Sequence, residues 1–265
     1  MSHDAYKANL LRMKVTNLGD ANQLPQALAA AEQAIAYPAA SLPSDPMADD
    51  SAVDAQALFD WAVGLEIRGI VFRRMGDFAK SIFDFDRAEL TLRRILLQFP
   101  MQENYAALAR ILHNRANTYL AIPEALAGGK DLTNAIIIRR KLATGDAEEL
   151  DLLAGSLAAR SSAFLLIGEL DYALTDALEA VKIRRAEMPQ VPDVHQRRTF
   201  AKTLRTLAIA QQASRKSGDA CQSIKEALGL LSELPAHVKA IAAADLAEYQ
   251  AIETQVCRGY SRDTC

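Results

Sequence analysis

The sequence predicts an all-α protein, an α-solenoid of about five antiparallel helix hairpins followed by a C-terminal capping helix. Three observations lead to this prediction. Apolar residues recur at helical spacing through most of the 265 residues, without a convincing strand-like alternation. One pattern of leucine, small and aromatic residues is repeated four times in a constant register. A glycine or proline divides each copy into two helices, which is typical of stacked hairpins.

The repeated pattern is anchored by one reference residue in each copy: Gly76, Pro123, Gly168 and Gly218. A leucine lies eleven residues before each of them, and in three copies a small residue lies seven before and an aromatic residue four before. Small residues let two helices approach closely, and glycine ends a helix without strain. The leucines are Leu65, Leu112, Leu157 and Leu207, and the fourth copy departs from the pattern at Gln211 and Ser214.

The helices are expected in order from this register and from the prolines. Residues 1–52 form a degenerate hairpin with helices near 4–17 and 25–37, and then a proline-rich loop at 38–51. We interpret this loop as a connector, with a mobile flap as the alternative. Residues 53–235 form four hairpins. Their helices are expected near 53–75 and 78–99, 102–122 and 131–143, 147–167 and 170–187, and 195–216 and 220–234.

The last part of the chain is expected to close the array. Residues 236–257 contain a single helix near 237–256, and residues 258–265 form a flexible tail. The outer face of this helix is expected to be charged, which would shield the exposed end of the stack. The charged residues are Lys239, Asp245, Glu248 and Glu253.

Composition limits the location and the class of partner. The net charge of −3 argues against nucleic acid or a membrane surface, and no stretch approaches ~18 consecutive apolar residues. The first residues lack the basic start and apolar run of a signal peptide, so we expect a cytoplasmic protein. The three cysteines do not suggest a disulfide framework. Cys257 and Cys265 are close enough in sequence to bridge, but we expect them to be reduced.

The hairpins resemble the tetratricopeptide repeat (TPR) family. The resemblance rests on Leu65 to Phe78 with Ser81 and Ala88, Leu112 to Tyr119, Leu157 to Phe164 with Gly168, Ala173 and Ala180, and Leu207 to Pro235. The repeat interval of 45–50 residues and the stretch from Ala180 to Leu204 resemble the longer repeats of kinesin light chain and its bacterial relatives. The resemblance implies a right-handed superhelix whose first helices line a concave, peptide-binding groove.

The resemblance also indicates which residues face the groove. Asn114 and Asn117 are the strongest candidates, because an amide side chain can both donate to and accept from the backbone of an extended peptide. The alternative is a polar surface that only contacts water. The other groove positions are Glu66, Ile70, Arg73, His113, Leu120, Ala158, Ser162, Leu165, Arg205, Ala208, Gln212 and Arg215.

An arginine and an aspartate sixteen residues apart recur at matching places in three hairpins. We interpret them as structural ion pairs that orient the two helices, since guanidinium and carboxylate can form two parallel hydrogen bonds. A charged ligand site is the alternative. In the fourth copy Ala210 replaces the arginine while Glu226 remains. The pairs are Arg68 and Asp84, Arg115 and Asp131, and Arg160 and Asp176.

Arginine doublets recur late on several helices, where positive charge suits the helix dipole. A basic stripe for an acidic partner is the alternative. The doublets are Arg73-Arg74, Arg93-Arg94, Arg139-Arg140, Arg184-Arg185 and Arg197-Arg198.

Catalytic features are few. The run from Asp49 and Asp50 to Asp54 resembles aspartate-rich magnesium motifs of all-helical prenyl-diphosphate enzymes, but aspartates before a helix are also ordinary caps. The four histidines have no metal-ligand spacing. We therefore expect no cofactor, no metal and no catalytic residue.

Taken together, these features predict a non-catalytic adaptor or scaffold that binds a peptide segment or partner protein in its groove. A regulatory sensor for a small ligand or signal peptide is the first alternative, and a magnesium-dependent enzyme is the remote one. The degenerate hairpins at the two ends leave room for a homodimer.

Overall fold

The structure, a computed structural model, describes residues 23–39, 42, 54–241 and 243–258. In these ranges every regular element is an α-helix. The expected helix near 4–17, most of the proline-rich loop and the tail after residue 258 lie outside the described residues. The helices are α1 (Leu24–Ala39), α2 (Ala55–Met75), α3 (Phe78–Gln98), α4 (Gln102–Ala121), α5 (Ala125–Leu142), α6 (Ala147–Ile167), α7 (Leu170–Ala186), α8 (Val194–Ala213), α9 (Ser217–Ser232), α10 (Ala236–Ile241) and α11 (Ala243–Cys257).

The helices pack into two compact units, Met1–Ile138 and Arg139–Cys265. In the first unit α2 packs against α1 and α3, and α4 contacts both α3 and α2. In the second unit α6 packs against α7, α8 packs against α7 and α9, and α11 covers α9. Within each unit, therefore, the chain stacks helix pairs as the repeat pattern predicts.

In the first hairpin the small residue of the repeat lies where the two helices approach closely. A Cβ atom placed on Gly69 of α2 would lie 3.0 Å from the ring of Phe85 on α3. Phe85 is fully buried together with Leu65 and Leu92 in the core of the first unit. Bulk at position 69 would push α3 away from this core, and that explains why a small residue recurs here.

The reference glycines end the first helix of their hairpins in the left-handed conformation. Gly76 has φ 80° and Gly168 has φ 82°. The amide of Gly76 donates to the carbonyl of Arg73, and the next amide donates to that of Phe72. This pattern satisfies the last carbonyls of the helix and turns the chain into the second helix.

The fourth hairpin turns three residues earlier than the sequence predicted. Arg215 has φ 61°, and its backbone amide donates to the carbonyl of Gln212. The amide of Lys216 donates to the carbonyl of Gln211, which is the same pattern as at the two glycine turns. Gly218 lies instead in the first turn of α9. Counted from Arg215, the fourth copy follows the pattern at each small and apolar position, with Leu204, Ala208, Ala220 and Ala227 in the repeated places. The prediction of Gly218 as the turn was wrong.

One helix end also differs from the prediction. Helix α5 begins at Ala125 rather than near residue 131, because the segment around Gly128 and Gly129 continues as helix. The helix expected near 237–256 is present on both sides of residue 242, which is not described, as α10 and α11. Asp245 and Glu248 of α11 are exposed, as expected, and each also lies near an arginine of α8, Arg198 and Arg205 respectively.

A disulfide joins α9 to the capping helix. Cys221 and Cys257 are bonded, with their Cα atoms 5.1 Å apart. No disulfide framework was expected from the sequence, and Cys257 with Cys265 was the one pair considered. The bond was missed because its partners are separated by 36 residues and become neighbours only when α11 packs against α9.

Helix α6 has the length and the apolar composition of a membrane-spanning helix, which the sequence analysis did not expect. Within the second unit, however, its Arg160 forms an ion pair with Asp176 of α7, and α6 packs against both α7 and α8. These contacts give α6 the role of a solenoid helix.

Candidate functional site

The predicted binding residues lie on the first helices of the four hairpins, α2 and α4 in the first unit and α6 and α8 in the second. In each unit these two helices contact one another. We call the side of these helices that carries the predicted groove positions the inner face.

Two of the predicted groove residues of the first unit are bound to each other. Glu66 is only 1% exposed, and it accepts hydrogen bonds from Nε and Nη2 of Arg110 at 2.8 Å. Asn114 donates through Nδ2 to the same carboxylate at 2.9 Å. The prediction that Glu66 faces the groove is wrong, because its charge is buried and paired. Asn114 is held by Glu66, so its amide nitrogen is already used between α2 and α4.

The rest of the inner face of the first unit is more accessible. Ile70 and Arg73 on α2, and Asn117 and Leu120 on α4, are partly exposed at equivalent repeat positions, and His113 is partly exposed one turn before Asn117. Nε of Arg73 is buried without a hydrogen-bond partner. Burial, together with the charge of Arg74, lowers the pKa of Arg73. Among the described residues, the side-chain amide of Asn117 makes no hydrogen bond.

The α6 positions of the second unit are engaged within the unit. The Ser162 hydroxyl donates to the carbonyl of Ala158 on its own helix at 3.2 Å. Leu165 packs against the apolar core of the second unit. Position 158 offers only a methyl group, so this face provides little for a peptide backbone.

On α8, one predicted position contacts the capping helix and another contacts α9. Arg205 donates to Glu248 of α11 and lies 5.8 Å from the ring centroid of Tyr249. Burial raises the pKa of Tyr249 to about 12. Gln212 accepts a hydrogen bond from Ser217 at 3.0 Å.

The shifted turn changes two predicted positions. Arg215 is the turn residue itself, and Ala208 is fully buried, so neither faces the groove. Ile209, which the sequence analysis did not select, takes the groove position on α8 and is partly exposed.

The three arginine–aspartate pairs are each brought together by two parallel hydrogen bonds. The distances are 2.7 and 2.8 Å for Arg68 with Asp84, 2.7 and 2.8 Å for Arg115 with Asp131, and 2.8 and 2.9 Å for Arg160 with Asp176. The aromatic residue one turn later stacks on the arginine in two copies, at 5.7 Å for Phe72 and 5.5 Å for Phe164. The aspartates are almost fully buried between the helices of each hairpin, which favours a structural role.

Arg115 is the centre of the largest of these clusters. Besides Asp131 it contacts Asp86 at 2.7 Å and Glu89 at 2.5 Å, both on α3. Burial alone would lower the pKa of Arg115, but the three carboxylates outweigh burial and raise it. The guanidinium groups of Arg115 and Arg93 likewise overcome the effect of burial on Glu89, whose pKa is lowered. This cluster ties α4 to both α3 and α5.

The fourth hairpin lacks both members of the pair. In the corrected register Leu207 and Ser223 stand where the other copies have arginine and aspartate. The Ser223 hydroxyl donates to Oε1 of Gln211 at 2.8 Å, so a neutral hydrogen bond replaces the ion pair. Glu226, assigned to this pair from the sequence, instead binds Arg185 of α7.

The arginine doublets do not form one basic stripe. Arg140 binds Glu179 at 2.7 Å and Arg185 binds Glu226 at 2.7 Å, so in these two doublets the second arginine links one second helix to the next in the second unit. The first members, Arg139 and Arg184, are buried. Sequence reasoning missed these links because the acid lies about forty residues further on, and the misplaced fourth turn hid that Glu179 and Glu226 occupy the same repeat position.

The aspartates that resemble a magnesium motif lie only partly within the described residues. Asp54 caps α2 by accepting a hydrogen bond from the amide of Gln56 at 2.9 Å, while Asp49 and Asp50 lie outside the described residues. In the described ranges no three His, Cys, Asp or Glu side chains come together as a metal site would require.

Comparison with known proteins relates the fold to solved repeat structures. No family model and no curated protein sequence matches the chain. It is similar to a kinesin light chain with nearly identical TPR-like repeats from Podosopora anserina (TM-score 0.61, 15% identity, 88% of this chain and 98% of that chain). It is also similar to BtubC (BKLC) from P. vanneervenii (TM-score 0.59, 14% identity, 91% and 95%) and to aspartyl phosphate phosphatase F from Bacillus subtilis (TM-score 0.51, 12% identity, 99% and 77%). The predicted all-α solenoid of TPR-like repeats is therefore confirmed as the fold.

Proposed function

We propose that this protein is a non-catalytic scaffold that binds an extended peptide segment of a partner protein on the inner face of its first unit. The observation that carries the proposal is the pairing of accessible apolar and polar groups on α2 and α4. Ile70 and Leu120 offer apolar surface there, while Arg73 and Asn117 offer donors that no described residue uses.

The chemistry of these residues favours a particular kind of segment. An asparagine amide pairs with the backbone of an extended chain, whatever its side chains are. A half-buried guanidinium without an acceptor gains most from a carboxylate, since a charged hydrogen bond there offsets its desolvation. We expect an extended segment with an apolar side chain for the Ile70–Leu120 surface and an acidic residue for Arg73.

The fold supports this proposal in general terms. Stacked helix pairs present an extended inner surface, which repeat proteins commonly use for binding. The inner face of the second unit supports it less, because α11 covers Arg205 and the α6 positions are engaged within the unit.

Affinity capture with paired variants tests the proposal. The wild type would be compared with the double variant Arg73→Ala/Asn117→Ala and with a matched control, Ser162→Ala/Gln212→Ala, from the second unit. Loss of a charged and a neutral hydrogen bond should weaken the partner by about tenfold or more. The control should bind the partner like the wild type. Equal retention by all three proteins would place the binding surface elsewhere.

The location of the protein belongs to the same proposal. A reduced cytoplasmic protein was expected, but the Cys221–Cys257 bond is of a kind that is rare in the cytosol. We propose the cytoplasm only for the form in which these cysteines are reduced.

A further inference from the structure

A cavity of about 380 Å³ lies in the second unit where the start of α6, the end of α7 and the start of α8 meet. Its apolar lining includes Leu152, Ile183, Met188 and Phe200. The connection at 187–193 also contributes to the wall, and it is the longest one in the described part of this unit. The volume lies in the range of sites that bind small molecules.

One charged side chain in this lining makes only long hydrogen bonds. Arg184 is 9% exposed and lines the cavity. Its Nη2 reaches only the carbonyl and carboxylate of Asp151, at 3.3 and 3.4 Å, and its Nε is buried without a partner. Charge-assisted hydrogen bonds are usually about 2.7–2.9 Å long, so these contacts are weak. A buried guanidinium with weak partners carries a desolvation cost that a bound anion would offset.

The preceding hairpin shows how the end of the same side chain is bound elsewhere. Arg139 stands at that position on α5, and its Nε is also buried without a hydrogen-bond partner. Its Nη1, however, donates to the carbonyl of Leu152 and to the hydroxyl of Ser156, both on the next first helix. The matching residues on α8 are Thr199 and Thr203.

Arg184 binds neither of these residues on α8, and its hydrogen bonds go to Asp151 instead. The Thr203 hydroxyl donates to the carbonyl of Thr199 at 3.0 Å, and Thr199 lines the cavity. The contact that Arg139 makes with the next first helix therefore has no counterpart at Arg184, and the cavity lies in its place.

The rim of the cavity has the opposite charge. Four carboxylates line it, those of Glu148, Asp151, Glu187 and Asp193, together with His195. The Asp193 carboxylate is used in part, since it accepts the amide of Gln196 at 2.7 Å. A simple anion would meet these carboxylates, and a simple cation would meet Arg184.

We propose that this cavity binds an α-amino acid with an apolar side chain. Its carboxylate pairs with the Arg184 guanidinium, its ammonium group faces the rim carboxylates Glu148 and Asp151, and its side chain packs against Leu152, Ile183 and Phe200. The site lies in the second unit, on residues other than the inner-face positions, and does not depend on the peptide-binding proposal.

Calorimetry on the full chain with three probes tests the assignment. L-leucine carries both charges, 4-methylpentanoate only the carboxylate, and isopentylamine only the ammonium group. L-leucine should bind, and each analogue should bind at least about tenfold more weakly, because one buried or rim charge is then left without its partner. Absence of binding by L-leucine at millimolar concentration, or equal binding of isopentylamine, would overturn the proposal.

Variants locate the site. Arg184→Met keeps the apolar length of the side chain and should reduce L-leucine affinity at least about tenfold. Arg185→Met is the matched control, because the neighbouring Arg185 is exposed and binds Glu226, and its affinity should equal that of the wild type. If Arg184→Met does not fold, Thr199→Leu, which fills the cavity from α8, should abolish binding. Undiminished binding by a folded Arg184→Met or Thr199→Leu variant would contradict the site.

Discussion

The turn of the fourth hairpin allows a sharp test of the repeat register. Arg215 holds φ 61°, a left-handed conformation that costs a non-glycine residue about 1–2 kcal/mol. Arg215→Gly removes that cost, but the more flexible unfolded chain takes back about 0.4–1 kcal/mol. The side chain of Arg215 is exposed, so its loss should matter little. The expected net effect is a stabilisation of about 0.5–1 kcal/mol.

Two glycines provide matched comparisons for this test. Gly168 has φ 82°, and a Cβ atom there would meet nothing within 4 Å, so Gly168→Ala should cost about 1 kcal/mol through the backbone alone. Gly218 lies in the first turn of α9 without a positive φ. Gly218→Ala should therefore be neutral or stabilise by up to about 1 kcal/mol, as alanine does in helices.

Urea unfolding followed by circular dichroism measures these three changes. The midpoint should rise for Arg215→Gly, fall for Gly168→Ala, and stay or rise for Gly218→Ala, with an unchanged slope. A fall for Gly218→Ala together with a fall for Arg215→Gly would return the turn to Gly218 and refute the corrected register.

Three further predictions concern the ion pairs and the cysteines. Arg160→Ala should lower the free energy of unfolding by about 2 kcal/mol, because Asp176, with a side chain 6% exposed, loses its buried partner. The control Arg140→Ala, from the exposed pair with Glu179, should lower it by less than about 1 kcal/mol. Equal losses in the two melting curves would show that burial of the pair is unimportant. Arg115 and Arg93 lower the pKa of Glu89 in the folded protein, so the stability that Glu89 contributes is present above its unfolded pKa of about 4.3 and is lost as the pH falls through the lower folded value. The difference in urea midpoint between wild type and Glu89→Gln should shrink from pH 6 to pH 3, and a constant difference would contradict this linkage. In the oxidised protein, thiol titration should count one free cysteine, Cys265, rather than three. Cys221→Ser should loosen α11, which would be seen as faster amide exchange at Tyr249. An unchanged exchange rate would mean that packing alone holds the capping helix α11.

Most of the fold could be predicted from the sequence because the repeat pattern encodes packing directly. Gly69 is small because the Phe85 ring lies against it, and Gly76 and Gly168 turn the chain in a conformation suited to glycine. The fourth turn could not be placed in the same way. Arg215 takes the left-handed conformation without being glycine. Gly218, three residues later, is the glycine that the repeat pattern predicts at the turn, although it lies in a helix.

The candidate site was less accessible to sequence reasoning. Groove positions follow from helical spacing, but whether a side chain there is available depends on partners from other helices. Glu66 and Asn114 were selected together, and the structure shows them hydrogen-bonded to each other with Arg110. Arg184 was noted only as part of a doublet, since its cavity depends on the connection at 187–193 and on Thr199 of α8.

Site-specific photo-crosslinking tests the binding claim most directly. A photo-reactive amino acid would replace Asn117 on the inner face of the first unit, and in a second protein Leu90, which is exposed on α3. Crosslinking in the native host, followed by mass spectrometry, should attach a partner peptide to position 117 and not to position 90. Crosslinks to the same partner at position 90 but not at position 117 would contradict binding on the inner face.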